Sequence, residues 1–241
     1  QWGGLQLEEK LADIDYQRHR ILLFRELLHQ YDTAQDRSPA RAEIIRQAES
    51  DIPAVLRPEI WCAILNVPPT GCAEEYGAHV LDEPGPCDKQ LDLDVVRCHQ
   101  YNSLLSSPEG HMKLKRVLKA WLHANPDLAY WQGLDSCLAP FLALNMPEEK
   151  AFCCLQRFIR MHLCDFYRKD NSAFLHRTLV IFRQLLAFYE PELACHLQEV
   201  GFNPSLYAIS WFLTAFAHIM SLDHVYQLWD FLFLIPPLPL F

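Results

Sequence analysis

Apolar residues recur at three- and four-residue intervals over long windows of this chain, and strict alternation is nearly absent. That spacing predicts helices throughout, because side chains three and four apart share a helix face. The first helix is expected over residues 7–31, with Leu7, Leu11, Ile14, Ile21, Leu22 and Leu28 on one stripe and Glu8, Glu9, Lys10 and Arg18 mostly opposite. Ser38-Pro39 has the order of an N-cap and a first-turn proline, opening a helix to about residue 49. Arg57-Pro58 begins a third, through Trp61 and Ile64, until Pro68-Pro69-Thr70-Gly71 forces a turn. Gly77, Pro84, Gly85 and Pro86 then predict a weak helix followed by a loop, so that residues 91–97 emerge from a loop.

Ser107-Pro108 repeats the helix-start pattern, and Leu114, Val117, Leu118, Trp121 and Leu122 mark a strongly amphipathic helix stopped near Asn125-Pro126. Further helices are expected over residues 133–144, 147–166, 171–189 and 191–200, then a buried pair over 204–220 and 222–233. The greasy run over 206–220 contains Ser210, Thr214 and His218 and falls short of the roughly 20 residues a membrane span requires. The apolar tail over 231–241 is broken by Pro236, Pro237 and Pro239, which cannot continue a helix. With neither a fixed-period repeat nor a low-complexity linker, the pattern predicts an all-α fold of mixed connectivity, in two lobes meeting near the middle.

Composition narrows the partners. A 51% hydrophobic fraction over 241 residues is ample for a sizeable core, and a net charge of −9 argues against nucleic acid and for a protein partner. Nine cysteines without a C-x-x-C pair fit free thiols in a reducing compartment, so a cytoplasmic location is expected and no metal site is proposed. The chain starts at Gln1 with no leader or transit segment, as expected of a piece of a longer protein.

Two polar segments carry the candidate chemistry. Leu91-Asp92-Leu93-Asp94-Val95-Val96-Arg97 offers an arginine, and Tyr130-Trp131-Gln132-Gly133 a glutamine. These are the side-chain types GTP hydrolysis needs beside the γ-phosphate, a planar cation for developing charge and an amide for the attacking water. The chain has no nucleotide-binding loop, so such chemistry would act on a partner. Asp94 stands three residues before Arg97, spacing that suits either orientation of the guanidinium or an ordinary local ion pair. Gln132 suits either a rigidly held functional amide or a cap for orphan backbone donors, and Gly133 lets another backbone approach closely. Arg57 and Trp61, four apart, share a face as an ion-pair partner and a core anchor. Asp92 and Asp94 read as a solvated face, and the adjacent Cys98 and His99 diverge too far to act as nucleophile and base.

Taken together and in order, Arg57-x-x-x-Trp61, Leu91-x-x-Asp94-x-x-Arg97 and Tyr130-x-Gln132-Gly133 resemble the signature motifs of the TBC domain family of Rab GTPase activators. Trp211-Phe212-Leu213-Thr214 and Leu228-Trp229-Asp230 extend the likeness. The wording of residues 97–102 and 106–111 is most similar to the TBC domain-containing kinase-like proteins, in which a pseudokinase-like domain precedes the TBC domain. The resemblance implies a two-lobed helical domain over 57–230, preceded by a helical segment over 1–56 and followed by the tail over 231–241. It implies that Arg97 and Gln132 are arginine and glutamine fingers, and that Arg57 and Trp61 buttress the segment carrying the arginine. The chain would be an activator rather than an enzyme in its own right, acting on a Rab-family GTPase in its GTP state. GTP and Mg²⁺ would belong to that partner, and recruitment to endomembranes would come through partners. Leu91 stands where the family usually has isoleucine, and Cys98 where threonine is commoner. The alternative is a Rab-binding scaffold of the same fold that does not accelerate hydrolysis. A purely structural domain would instead bury Arg97 and Gln132 far apart.

Overall fold

A computed structural model describes residues 7–80 and 83–235, with side chains from residue 13 onward. The described residues form helices and turns, with one isolated antiparallel bridge between Leu128 and Arg168 and no strand. Helices α1 (Leu7–Thr33), α2 (Ser38–Ala48) and α3 (Arg57–Ile64) pack on one another. They are followed by α4 (Cys72–Gly77), α5 (Asp88–Val95), α6 (Pro108–Ala124), α7 (Leu134–Ala143) and α8 (Glu148–Phe158). α8 lies at the centre of this first lobe, against α3, α4, α6 and α7. The second lobe comprises α9 (Ser172–Tyr189), α10 (Pro191–Glu199) and α11 (Ala208–Thr214) and meets the first through α11 on α7, while α12 (Leu222–Leu232) packs on α7 as well.

α7 is buried all round from Leu134 to Leu142, as a helix between two lobes must be. Beside it, an aromatic cluster joins the beginning of the chain to its end. Trp61 of α3 stands 5.8 Å edge-on from Phe141 of α7 and 5.0 Å from Phe233, just past α12. Phe158 of α8 lies 4.6 Å from Trp229 of α12. Such pairs add about 0.5–1.5 kcal/mol each beyond area burial, so they fix how α12 seats on the first lobe.

Several helices follow the sequence closely, α6 above all: Ser107 Oγ accepts the Gly110 N–H at 3.0 Å as the expected cap. At α2 Ser38 is already the first helical residue and no side chain caps the helix, although the Asp36 carboxylate accepts the Ser38 N–H at 3.0 Å. The α1 stripe differs more. Ile14 and Leu22 are exposed, and the buried face is Arg20, Phe24, Leu27 and Tyr31; the side chains of Leu7 and Leu11 lie outside the described residues. Arg20 is drawn in because its guanidinium reaches Asp51 at 2.6 Å and Gln47 at 2.7 Å, at the end of α2. The helix expected over 147–166 loosens after Phe158 into a π turn and a 3-10 turn. The one expected over 204–220 stops at Thr214, because Ala215 and Phe216 take positive φ of 44° and 67°. Of the apolar tail, Phe231 and Leu232 still belong to α12 and Phe233 is buried, while 236–241 lie outside the described residues.

Candidate functional site

The first polar segment lies on a helix rather than a loop. The Gly85 carbonyl accepts the Asp88 N–H and starts α5 directly after the proline-rich stretch, so residues 91–95 are helical. Leu91 and Val95 point into the core and Asp94 is buried with them, whereas Arg97 sits in the turn beyond, exposed. His99, with φ of 43°, then reverses the chain toward the Ser107 cap of α6.

Asp94 does not pair with Arg97. Its carboxylate accepts the Gln90 side-chain amide at 2.9 Å and the Tyr130 hydroxyl at 2.7 Å, and it is not part of a solvated face. Asp92, by contrast, is exposed and bonded to Lys115 at 2.6 Å. Burial, and then the neighbouring Asp94 carboxylate, push the Tyr130 hydroxyl far above the ordinary phenol range, so it stays a donor. The two polar segments, 36 residues apart, are thereby tied by one charge-assisted bond.

The second segment is held from behind. Asn125 is fully buried, its amide donating to the Trp121 carbonyl at 2.8 Å and its oxygen accepting from Arg160. Ala129 N–H donates to the Tyr167 carbonyl, and Trp131 Nε1–H to that of Arg168 at 3.0 Å. Gly133 takes φ of 109°, and a Cβ there would stand 2.6 Å from Thr214 Cγ2 of α11. Close approach is thus to a side chain of the second lobe. No side chain caps α7; the Asp135 carboxylate, within its first turn, accepts the Gly133 N–H at 3.2 Å. Gln132 is exposed and makes no side-chain hydrogen bond among the described residues, so it does not serve as the cap.

Asp135 is buried, and burial followed by the charge of Asp94 raises its pKa, partly offset by a hydrogen bond from the Cys98 thiol. Cys98 and His99 do diverge. The thiol faces Asp135, and His99 Nδ1 lies 2.9 Å from the Tyr101 hydroxyl, which accepts the Leu222 N–H at 2.7 Å. Burial, with the nearby His218, lowers the His99 pKa to about 4, so it is neutral at physiological pH. Ser136 Oγ meets His218 Nδ1 at 3.2 Å. Asp135, Ser136, Tyr101 and His218 carry no local sequence signal for this site; the fold alone brings them there.

Together these segments wall a groove of about 360 Å³, lined by Asp94, Arg97, Gln132 and Gly133 on one side and residues 218–221 on the other. Arg97 and Gln132 are both exposed there, and Arg97 too makes no side-chain hydrogen bond or ion pair among the described residues. Buried, distant placement is thereby excluded. Arg57 and Trp61 do something else. Arg57 grips Asp230 of α12 with Nε and Nη2 at 2.9–3.1 Å, and Trp61 Nε1–H donates to the same carboxylate at 2.7 Å. They brace α12 and not the segment carrying Arg97. Among the described residues, no group of three or more His, Cys, Asp or Glu is placed to hold a metal ion.

Residues 54–239 match the model of the Rab-GTPase-TBC domain family. A TBC domain-containing protein kinase-like protein of Gallus gallus is 48% identical over 234 residues, covering 96% of this chain and 25% of that protein. The Homo sapiens protein of that name is 48% identical over 223 residues, covering 92% and 24%. Rab GTPase-activating protein tbc-11 of Caenorhabditis elegans is 31% identical over 220 residues, covering 86% and 22%. The chain thus spans about a quarter of the length of these curated relatives. The solved Ypt/Rab-GAP domain of Gyp1p superposes with a TM-score of 0.75 at 18% identity, covering 90% of this chain and 80% of that one. The Chlamydomonas flagellar RabGAP TBC domain gives 0.70 at 24%, covering 95% and 77%. At those identities the likeness is one of fold.

Proposed function

The chain belongs to the Rab-GTPase-TBC domain family, and on that footing we propose that it docks on a GTP-loaded Rab-family GTPase and accelerates hydrolysis there. Arg97 neutralises charge developing on the γ-phosphoryl group in transit, and Gln132 aligns the attacking water. The partner binds GTP and Mg²⁺; this chain adds two side chains and the surface that positions them. Such a partner places the activity in the cytoplasm, with recruitment to endomembranes through other proteins. No described helix is long and apolar enough to cross a membrane.

The observation that carries this reading is the pairing of exposure with support. Arg97 and Gln132 stand on the rim of one groove without intramolecular polar partners among the described residues. The backbone beneath them is tied by the Asp94–Tyr130 bond and by Gly133 against Thr214. Side chains that give up no internal bond, on a backbone already ordered, lose little on docking.

The test is GTP hydrolysis across a panel of purified Rab proteins with and without the chain. Acceleration of at least one Rab supports catalysis. Stoichiometric, GTP-selective binding without acceleration of any would assign the chain the scaffold role instead.

A further inference from the structure

Away from the groove, α3 and α8 bring two thiols into contact. Cys62 follows Trp61 on α3, and its Sγ lies 3.5 Å from Sγ of Cys154 on α8. The two differ in access. Cys62 is half-buried and lines an open cleft of about 410 Å³ between Pro58, Pro69 and Lys150, whereas Cys154 is fully buried behind it. We propose that Cys62 and Cys154 form a peroxide-responsive thiol pair, in which Cys62 meets the oxidant in the cleft and Cys154 resolves it as an intramolecular disulfide.

Their surroundings set this order of attack. The Cys154 thiol is within hydrogen-bond reach of Cys62, either sulfur being able to donate, and Lys150, held in the cleft by the Pro68 and Pro69 carbonyls at 2.8 and 2.9 Å, adds positive charge. Both effects hold the Cys62 pKa below the ordinary thiol value, against burial. The same bond and burial raise that of Cys154. The more nucleophilic sulfur is therefore the accessible one. The Cys62 thiolate attacks one oxygen of hydrogen peroxide, the O–O bond breaks, and the departing hydroxide is protonated to water, leaving a sulfenic acid. Sulfur of Cys154 then attacks that of Cys62. The S–S bond forms, the S–O bond breaks, and the leaving hydroxide takes the Cys154 proton as a second water. In sum, two thiols lose two electrons and two protons, and one peroxide becomes two waters.

The bridge would staple α8 to the helix whose Arg57 and Trp61 hold α12, closing a loop between positions 92 apart. Restricting so long a loop in the unfolded chain raises the unfolding temperature.

The test is titration of the reduced protein with hydrogen peroxide, followed by alkylation, peptide mapping and thermal unfolding. Exposed Cys195 is the internal gauge of general oxidation. The expected result is a Cys62–Cys154 bridge at doses that leave Cys195 mostly alkylatable, with a higher unfolding midpoint that dithiothreitol reverses and C62S abolishes. In C154S, dimedone should label Cys62. Alkylatable Cys62 at doses that oxidise Cys195, or a bridge joining Cys62 to a cysteine other than Cys154, would overturn the proposal, and the wild-type map alone decides both.

Discussion

The Tyr130 hydroxyl donates to the buried Asp94 carboxylate across 2.7 Å, so the residues two positions beyond the tyrosine and three beyond the aspartate are carried by one shared bond. Removing that hydroxyl leaves one carboxylate oxygen buried without its donor. Tyr130→Phe should destabilise the fold by about 1–3 kcal/mol. The more telling effect is functional: stimulated hydrolysis should fall in a protein whose circular dichroism remains native at low temperature, since Arg97 and Gln132 lose their common tether.

Gly133 is constrained twice, by a φ of 109° and by Thr214 Cγ2 at 2.6 Å from where a Cβ would stand. Gly133→Ala should cost about 2–3 kcal/mol in urea unfolding, from strain and steric clash together. Adding Thr214→Ser deletes the offending methyl and keeps a hydroxyl for the Ser210 carbonyl, 2.7 Å away. The double variant should recover part of the loss. No recovery would mean that the backbone, not the lobe contact, dictates glycine here.

Asp135 supplies the pH dependence. Its pKa in the fold lies above the ordinary 3.8, by burial first and then by Asp94. A carboxyl raised on folding binds more protons when folded, so its stabilisation is fully present below the unfolded value and lost as pH rises through the folded one. The neutral isostere Asp135→Asn lacks this loss. Measured by denaturant melts from pH 3.5 to 7, the difference in stability should shift toward the variant as pH rises; an unchanged difference would contradict the assignment.

Arg57→Ala would strand Asp230 with Trp61 as its remaining polar partner. The site is largely shielded, and breaking such a pair costs about 3–5 kcal/mol when fully buried. A loss of roughly 2–4 kcal/mol is therefore expected, read as a lower urea midpoint. Because this pair braces α12, activity per folded molecule should change far less than with substitutions at Arg97.

Helix-start chemistry carried much of the fold in the linear pattern. Ser107-Pro108 and Arg57-Pro58 open α6 and α3 where local capping and proline rules put them. Long-range partners account for the departures. Asp94 sits at ion-pair spacing from Arg97, yet a tyrosine 36 residues away takes its carboxylate. Arg20 is pulled into the core by Asp51, which no periodicity registers. The break after Thr214 has no glycine to announce it, since Ala215 adopts the left-handed region itself. At the groove, motif residues were visible from spacing and resemblance, whereas the wall at His218 becomes one only when the second lobe folds back.

Arginine fingers in other GTPase systems contribute about 10³–10⁵ in rate, or roughly 4–7 kcal/mol of transition-state stabilisation. The most direct measurement is therefore single-turnover phosphate release from a responsive GTP-loaded Rab at saturating wild type, Arg97→Ala, Arg97→Lys and Gln132→Ala. Arg97 is exposed and unpaired among the described residues, so its variants should fold and still bind the GTP state. Near-complete loss of acceleration in all three is the predicted result, with lysine failing because a point charge cannot replace the planar fork. Wild-type rates from Arg97→Ala would contradict the account at its centre.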